Sequence, residues 1–180
     1  NYKKPINSIS NLSLDLDNKK KNLYINKLNF KEGNNSIKIN GLQLKNNNFV
    51  SFDKIVVETV NNNFSIKNGK TIQIKGSKFD ATNLSKFFSH QSEKNNLKNL
   101  NSNIEIDFKN IRVPMSEKLQ NFKLLGEIKK GKFVKISSKG DFGGNNFLDI
   151  SMKKSENSNK KYLEIYSDLP RPLLTEYDFF

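Results

Sequence analysis

The sequence predicts a mainly β protein, an antiparallel meander of roughly ten strands with a short helix near residues 81–89. Apolar residues alternate with polar residues over most of the chain, which is the period of a half-buried strand. Turn signals rich in Gly and Asn recur every 8–15 residues. Strands do not alternate with long helical patterns, so the sequence argues against a Rossmann or TIM-barrel architecture.

The composition excludes several classes of protein. The 180 residues include no Cys and one His, which rules out zinc ribbons, disulfide scaffolds and thiol enzymes. No run approaches 18 apolar residues, so no segment is predicted to cross a bilayer as a helix. Only 34% of the residues are hydrophobic, yet they alternate strictly. This combination predicts a sheet with one apolar face and one wet face.

The positive charge of the chain is carried almost entirely by Lys. The net charge is +13, but 29 of the 31 cationic residues are Lys and only Arg112 and Arg171 are Arg. Base readout in nucleic acids favours Arg, whose planar fork matches guanine. The charge is therefore weak evidence for nucleic-acid binding. It is better explained by a solvated face that tolerates anionic surfaces, including lipid head groups.

The first half of the chain contains strand patterns over residues 8–17, 22–31, 37–44, 49–60, 64–66 and 71–77. Between Ile25 and Leu28 the apolar spacing slips by one residue, as a β-bulge produces, and Gly41 marks a second slip. The pair Asn68-Gly69 is a strong two-residue hairpin signal and predicts that the last two strands pair.

The alternation of apolar and polar residues stops after residue 77. Leu84, Phe87 and Phe88 have helical spacing, and Asp80 is a candidate N-cap for that short helix. Strand patterns resume over residues 104–113, 119–129, 132–142, 146–154 and 161–167. Leu173, Leu174 and Tyr177 are expected to open a second short helix.

The two halves are similar in kind, because each has several strands followed by a short helical or Leu-rich stop. We therefore expect two structural units, 1–89 and 102–180, joined by the polar loop 90–101. The second unit is expected to be truncated, so that the chain is a segment of a longer protein.

No catalytic set of residues emerges from the sequence. Six carboxylates alternate with apolar residues and are expected on the wet face of strands rather than in an acid–base pair; they are Asp15, Asp17, Asp53, Glu58, Glu105 and Asp107. His90 is expected to cap a helix C-terminus, and Gly143-Gly144 is expected to form a hairpin turn rather than a phosphate-binding loop. We expect a protein that is not an enzyme and has no cofactor or metal.

A one-sided sheet must have its apolar face covered by a second sheet, by closure into a barrel, or by something that is not protein.

Two stretches of the sequence carry a family resemblance that favours one of these three ways of covering the apolar face. The segment from Ile72 to Phe88 reads strand, Gly76, Asp80 and a short helix with paired large apolar residues. In the second half come Gly131-Lys132-Phe133, then Gly140-Asp141-Phe142-Gly143-Gly144, then Ser167-Asp168 followed by Leu173-Leu174. Over about residues 60–180 the chain resembles the AsmA-like superfamily, most of all its YhdP-type, TamB-related members.

The resemblance implies a curved open β-groove, also called a β-taco, in the Gram-negative cell envelope. It implies a bridge-like carrier in the periplasm, anchored to the inner membrane through a segment outside this chain. Such a carrier conducts phospholipid acyl chains toward the outer membrane, binds no nucleic acid, and has unknown protein partners. The residues then expected to line the groove are Ile37, Ile39, Leu42, Leu44, Phe52, Ile55, Val57, Phe64, Ile66, Ile72, Ile74, Ile104, Ile106, Phe108, Leu124, Ile128, Ile136, Leu148, Ile150, Met152, Leu163 and Ile165.

Two other classes of function stay open. In a structural or adhesive β-repeat of the cell surface, the same residues would form a sealed core. A basic nucleic-acid-binding β-domain would present a stripe of Lys with exposed aromatic side chains and would bind with strong salt dependence.

Overall fold

A computed structural model of the chain describes residues 9–19, 22–46, 48–83, 100–154 and 160–174. These residues form twelve strands, one 3₁₀ turn at Pro114–Ser116 and one short helix, α1, at Arg171–Leu174. The strands are Ser10–Lys19 (β1), Asn22–Glu32 (β2), Asn35–Lys45 (β3), Asn48–Ser51 (β4), Lys54–Glu58 (β5), Asn63–Lys67 (β6), Thr71–Asp80 (β7), Ser102–Arg112 (β8), Lys118–Lys129 (β9), Lys132–Gly143 (β10), Asn146–Lys154 (β11) and Lys161–Ser167 (β12).

All twelve strands belong to one open, curved sheet, which confirms the predicted fold class. The strand order is β1-β2-β3-β5-β6-β7-β8-β9-β10-β11-β12, and the short β4 pairs only with β3. The predicted meander holds with one difference, because β7 and β8 are parallel. Their register runs from Thr71 opposite Asn103 to Asp80 opposite Arg112. The two predicted units therefore share a single sheet.

Bulges bend the strands where the sequence spacing slips. The register between β1 and β2 shifts at Asp15 and Leu16, which leaves Asn26 as the extra residue of β2. At the same level of β3, Gly41 has φ +66°, a left-handed conformation that costs glycine little. Both predicted slips are confirmed. They keep Ile25 and Leu28, although three residues apart, on the same face of the sheet.

The predicted turns agree with the structure where it describes them. Gly143, Gly144 and Asn145 all have positive φ in the turn between β10 and β11, and residues 68–70 join the antiparallel strands β6 and β7. Most of the predicted helix at 81–89 and most of the predicted loop at 90–101 lie outside the described residues. Ala81–Asn83 form a turn in which an Asp80 carboxylate oxygen accepts from the Thr82 amide and hydroxyl.

The best-buried part of the apolar side lies in the second half of the chain. Its members are drawn from β8, β9, β10, β11 and the residue after β8; they are Phe108, Ile111, Val113, Leu119, Phe122, Phe142 and Leu148. The ring of Phe108 lies 5.3 Å from that of Phe79 and 6.0 Å from that of Phe64. We call the seven buried residues, without Phe64 and Phe79, the Phe108 cluster. In the first half, Ile25 alone among the described apolar side chains is buried to a similar degree.

Candidate ligand-binding face

One face of the sheet is apolar from one edge strand to the other, and we call it the apolar face. Residues opposite each other on neighbouring strands point to the same face. Ile55 lies opposite Ile39 on β3 and Ile66 on β6, and Ile74 continues the row from Ile66 to Ile106 on β8. Similar rows continue through Leu124, Ser138, Ile150 and Ile165 to the last strand. At about 4.8 Å per strand, the rows span about 48 Å.

The structure places 21 of the 22 predicted lining residues on this face. Phe52 is the remaining one; it lies in the bend between β4 and β5, with its ring 6.0 Å from that of Phe49. The residues that the strand register places on the apolar face are Ile37, Ile39, Leu42, Leu44, Ile55, Val57, Phe64, Ile66, Ile72, Ile74, Ile104, Ile106, Phe108, Leu124, Ile128, Ile136, Leu148, Ile150, Met152, Leu163 and Ile165.

Further apolar residues occupy the same face but were absent from the predicted set. They include Leu12, Leu14, Leu16, Leu23, Ile25, Leu28, Phe30, Phe49, Phe79, Ile111, Leu119, Phe122 and Phe133. The alternation of β1 and β2 already identified most of the first seven. Leu119 and Phe122 were harder to assign, because they are three residues apart and Asn121 between them has φ +49°, which breaks the period of two.

Within the described part of the chain, no second layer covers the apolar face. Each strand contacts its neighbours in the sheet, and the main contact between non-neighbouring elements is that of α1 with the 3₁₀ turn after β8. The face is most exposed at the two edges, where Leu12 is 66% and Ile165 57% exposed. An isolated domain of this kind leaves an unusually long apolar surface in contact with water.

A cavity of about 640 Å³ opens beside Gly126 in the second half of the sheet. Its apolar lining includes Ile104, Ile136 and Met152, three of the predicted lining residues. A Cβ at Gly126 would stand 2.9 Å from both Ile104 and Phe133, so these two side chains already pack closely over the glycine. The lining also contains Glu105, Glu127 and Lys135, which occupy strand positions on the opposite face of the sheet, so the cavity is not confined to the apolar face.

The opposite face, which we call the polar face, carries most of the charge. Five of the six predicted solvent-facing carboxylates occupy strand positions there; they are Asp15, Asp17, Glu58, Glu105 and Asp107. Asp53 is exposed in the bend before β5. Hydrogen bonds from Lys75 and then from Gln73 lower the pKa of Glu105, whose carboxylate lies 2.9 Å from the Lys75 ammonium. Asp17 accepts from the Asn26 side-chain amide and Glu58 from the Ser36 hydroxyl, and none of these contacts joins two carboxylates.

No acid–base or metal-binding constellation forms among the described residues. Nowhere in those ranges do three His, Cys, Asp or Glu side chains come together in a way that could hold a metal ion. His90, predicted to cap a helix, lies outside the described residues.

Asp168 ties the last strand to its neighbour, and we call this arrangement the Asp168 clamp. One carboxylate oxygen accepts from the Phe147 amide at 2.8 Å, and the other accepts from the Tyr166 hydroxyl at 2.7 Å. The Asp168 amide in turn donates to the Phe147 carbonyl. The Phe147 amide, followed by the Tyr166 hydroxyl, holds the pKa of Asp168 below its ordinary value. The Ser167-Asp168 pair quoted for the family resemblance thus has a local structural role.

We expect Asp168→Ala to expose the Phe147 amide to solvent. Because the pKa of Asp168 is lowered in the folded state, the clamp is complete above the ordinary aspartate pKa and is lost as the pH falls through the lowered one. Hydrogen exchange at Phe147, corrected for the intrinsic rate, should accelerate roughly tenfold in the variant and lose this pH dependence. Asp149→Ala on the neighbouring strand is the control, and equal acceleration in both variants would contradict the assignment.

Comparisons of the chain with protein-family models, curated proteins and solved structures give no significant match. Among the described residues, no helix is both long and apolar enough to cross a membrane.

Proposed function

We propose that the chain is a segment of a bridge-like phospholipid carrier that conducts acyl chains along its apolar face, across the periplasm between the inner and outer membranes. The observation that carries the proposal is the continuity of that face. Rows of Ile, Leu and Phe run across eleven strands, and no second layer covers them within the described residues. The resemblance to AsmA-like proteins is consistent with this proposal and supplies its cellular setting.

The physical argument concerns what an acyl chain and a head group each require. Moving a methylene from water to an apolar surface is favourable by about 0.8 kcal/mol, so a continuous lining stabilises an acyl chain along its whole length. A lining interrupted by charges would leave barriers between bound positions. Most charged side chains of this sheet lie on the other face, and the head group can remain in water at the sheet margin.

A structural β-repeat with a sealed core is the second candidate, and one observation favours it. The Phe108 cluster buries its members against one another, with Phe108, Leu119 and Leu148 each only 3% exposed. In that part of the sheet, protein side chains already cover the apolar face. Residues outside the cluster must therefore be used to test lipid binding.

Ile55 and Val56 give a matched test, because they are neighbours on β5 and point to opposite faces. Ile55 is on the apolar face between Ile39 and Ile66, whereas Val56 is opposite Lys38 and Ser65 on the polar face. Both are half-buried and neither belongs to the Phe108 cluster. We expect Ile55→Asp to reduce bound phospholipid at least about tenfold, because a carboxylate in the acyl path loses its hydration. Val56→Asp should retain the lipid.

The measurement is native mass spectrometry with lipid extraction, applied to the chain purified from a Gram-negative host. Thermal unfolding of both variants controls for the introduction of Asp into a strand. A wild-type protein that folds cooperatively and carries no lipid would favour the sealed core. Equal lipid in the two variants would place any bound lipid away from the apolar face.

A further inference from the structure

A pocket lined mainly by residues of the polar face is not used by the proposed function. It has a volume of about 530 Å³ and lies where β7, β8 and β9 meet the loop between β5 and β6. We call it the cationic pocket. Its lining residues with polar or charged side chains are Asn61, Lys78, Asp80, Asn110, Arg112 and Lys118.

The register explains why cations gather there. Asp80, Arg112 and Lys118 lie opposite one another on three adjacent strands, and Lys78 lies two residues before Asp80, opposite Asn110. With strands about 4.8 Å apart and two residues spanning about 6.8 Å, the backbone positions of the three cations lie within about 12 Å of one another. Arg112 and Lys118 are like charges placed directly opposite, an arrangement that destabilises a sheet unless an anion offsets it.

The wall of the pocket is held in place by hydrogen bonds. The Thr59 amide donates to the Asn62 carbonyl at 2.6 Å, and the Asn62 amide donates to the Thr59 hydroxyl at 2.9 Å. The Asn62 side-chain oxygen then accepts from the Asp80 amide at 2.9 Å. These bonds fix the loop that carries Asn61 against the end of β7.

The charges of the pocket are poorly compensated by protein groups. Asp80 is the single carboxylate among its described lining residues, and the Arg112 guanidinium approaches that carboxylate only to 3.9 Å. In the described part of the chain, no carboxylate lies within 4.0 Å of Lys78 or Lys118. By contrast, ion pairs elsewhere on the polar face close to 2.8–3.2 Å. The excess positive charge is therefore local.

We propose that the cationic pocket binds a phosphate group. The planar fork of Arg112 matches two phosphate oxygens, and Lys78 and Lys118 can neutralise the remaining charge. A long polyanion fits less well, because outside the pocket Lys123 and Lys139 face Asp107 and Asp149, so the sign of the charge alternates. The phosphate can belong to a lipid head group or be free in solution. The proposal does not rest on acyl-chain binding at the apolar face.

The test compares two double variants that remove the same charge from the same face. Arg112→Gln/Lys118→Gln alters the pocket, and Lys123→Gln/Lys139→Gln alters another cross-strand pair of cations. Binding of inorganic phosphate is followed by amide chemical shifts at constant ionic strength. Affinity should fall about tenfold or more in the pocket variant and less than about twofold in the control.

A second arm identifies the source of the phosphate. Sedimentation with phosphatidylglycerol vesicles, compared with phosphatidylcholine vesicles, tests the lipid head group. Binding that is selectively lost in the pocket variant supports the proposal in either arm, and the arm in which it occurs names the source. An equal loss of binding in both variants, in either arm or with a single-stranded oligonucleotide, would indicate diffuse electrostatic attraction to the whole face. That result would overturn the proposal.

Asp80→Asn keeps the test decisive if the double variant does not fold. Removing the single carboxylate of the pocket should strengthen phosphate binding, a gain that unfolding cannot produce. Unchanged or weaker affinity in a folded Asp80→Asn protein would overturn the proposal.

Discussion

Leu119→Ala should lower the free energy of unfolding by about 2–5 kcal/mol, measured by urea denaturation. Leu119 is 3% exposed within the Phe108 cluster, and its side chain lies directly over Gly140. Truncation loses the transfer free energy of the buried methyl groups and leaves a cavity that the surrounding strands fill only partly. This cluster contains most of the well-buried apolar side chains, so a large share of the stability depends on it.

Leu125→Ala is the matched control, because it makes the same substitution on the same strand. Leu125 lies on the polar face opposite Glu105 and Ser137 and is 63% exposed. Its removal should change the free energy of unfolding by no more than about 0.5 kcal/mol. Similar losses in the two variants would mean that the Phe108 cluster is not the principal core.

Gly76→Ala should lower the free energy of unfolding by about 1–3 kcal/mol, because it forces β6 and β7 apart. A Cβ at Gly76 would clash with the Asn63 carbonyl oxygen and would stand 2.5 Å from the Phe64 Cβ. Backbone atoms cannot move aside as a flexible side chain can. Phe64 also contacts the rings of Phe79 and Phe108, so its displacement would disturb the Phe108 cluster.

Gly69→Ala is the control for this prediction. The nearest atom to a Cβ at Gly69 is the Thr71 carbonyl oxygen at 3.8 Å, which is ordinary contact. Its φ lies outside the left-handed region, so alanine should be accommodated without loss of stability. Thermal unfolding of both variants checks the pair, and a Gly76→Ala protein as stable as wild type would contradict the close approach of β6 and β7.

Much of the fold could be predicted because, in a sheet with one apolar face, the alternation of apolar and polar residues assigns each residue to a face. The alternation in β3 and β8 places Ile37, Ile39, Ile104 and Ile106 on one face with no knowledge of their neighbours. The slip between Ile25 and Leu28 even located a bulge, since a one-residue change of phase has few other physical causes. Turn positions followed in the same way from Gly and Asn.

Features that depend on how distant strands are arranged could not be predicted. Periodicity is the same in parallel and antiparallel strands, so nothing in residues 71–80 or 102–112 announces that β7 and β8 run in the same direction. The cationic pocket depends on that register, because it places Asp80 beside Arg112. Nor did the sequence distinguish the buried Phe108 cluster from the exposed apolar residues of β1 and β12, because both have the same alternating pattern.

The parallel pairing of β7 and β8 also concentrates the conformational entropy cost of forming the sheet. In a hairpin, pairing spreads outward from the turn, so each new rung closes only a short additional loop. In the β7–β8 pair every rung joins residues 32 positions apart, from Thr71 and Asn103 to Asp80 and Arg112. The entropy cost of closing this long loop must therefore be met before the first contact between β7 and β8 stabilises the pair. The two halves of the sheet can thus gain order locally, and the β7–β8 pairing that joins them spans the longest sequence separation among the described strand pairs.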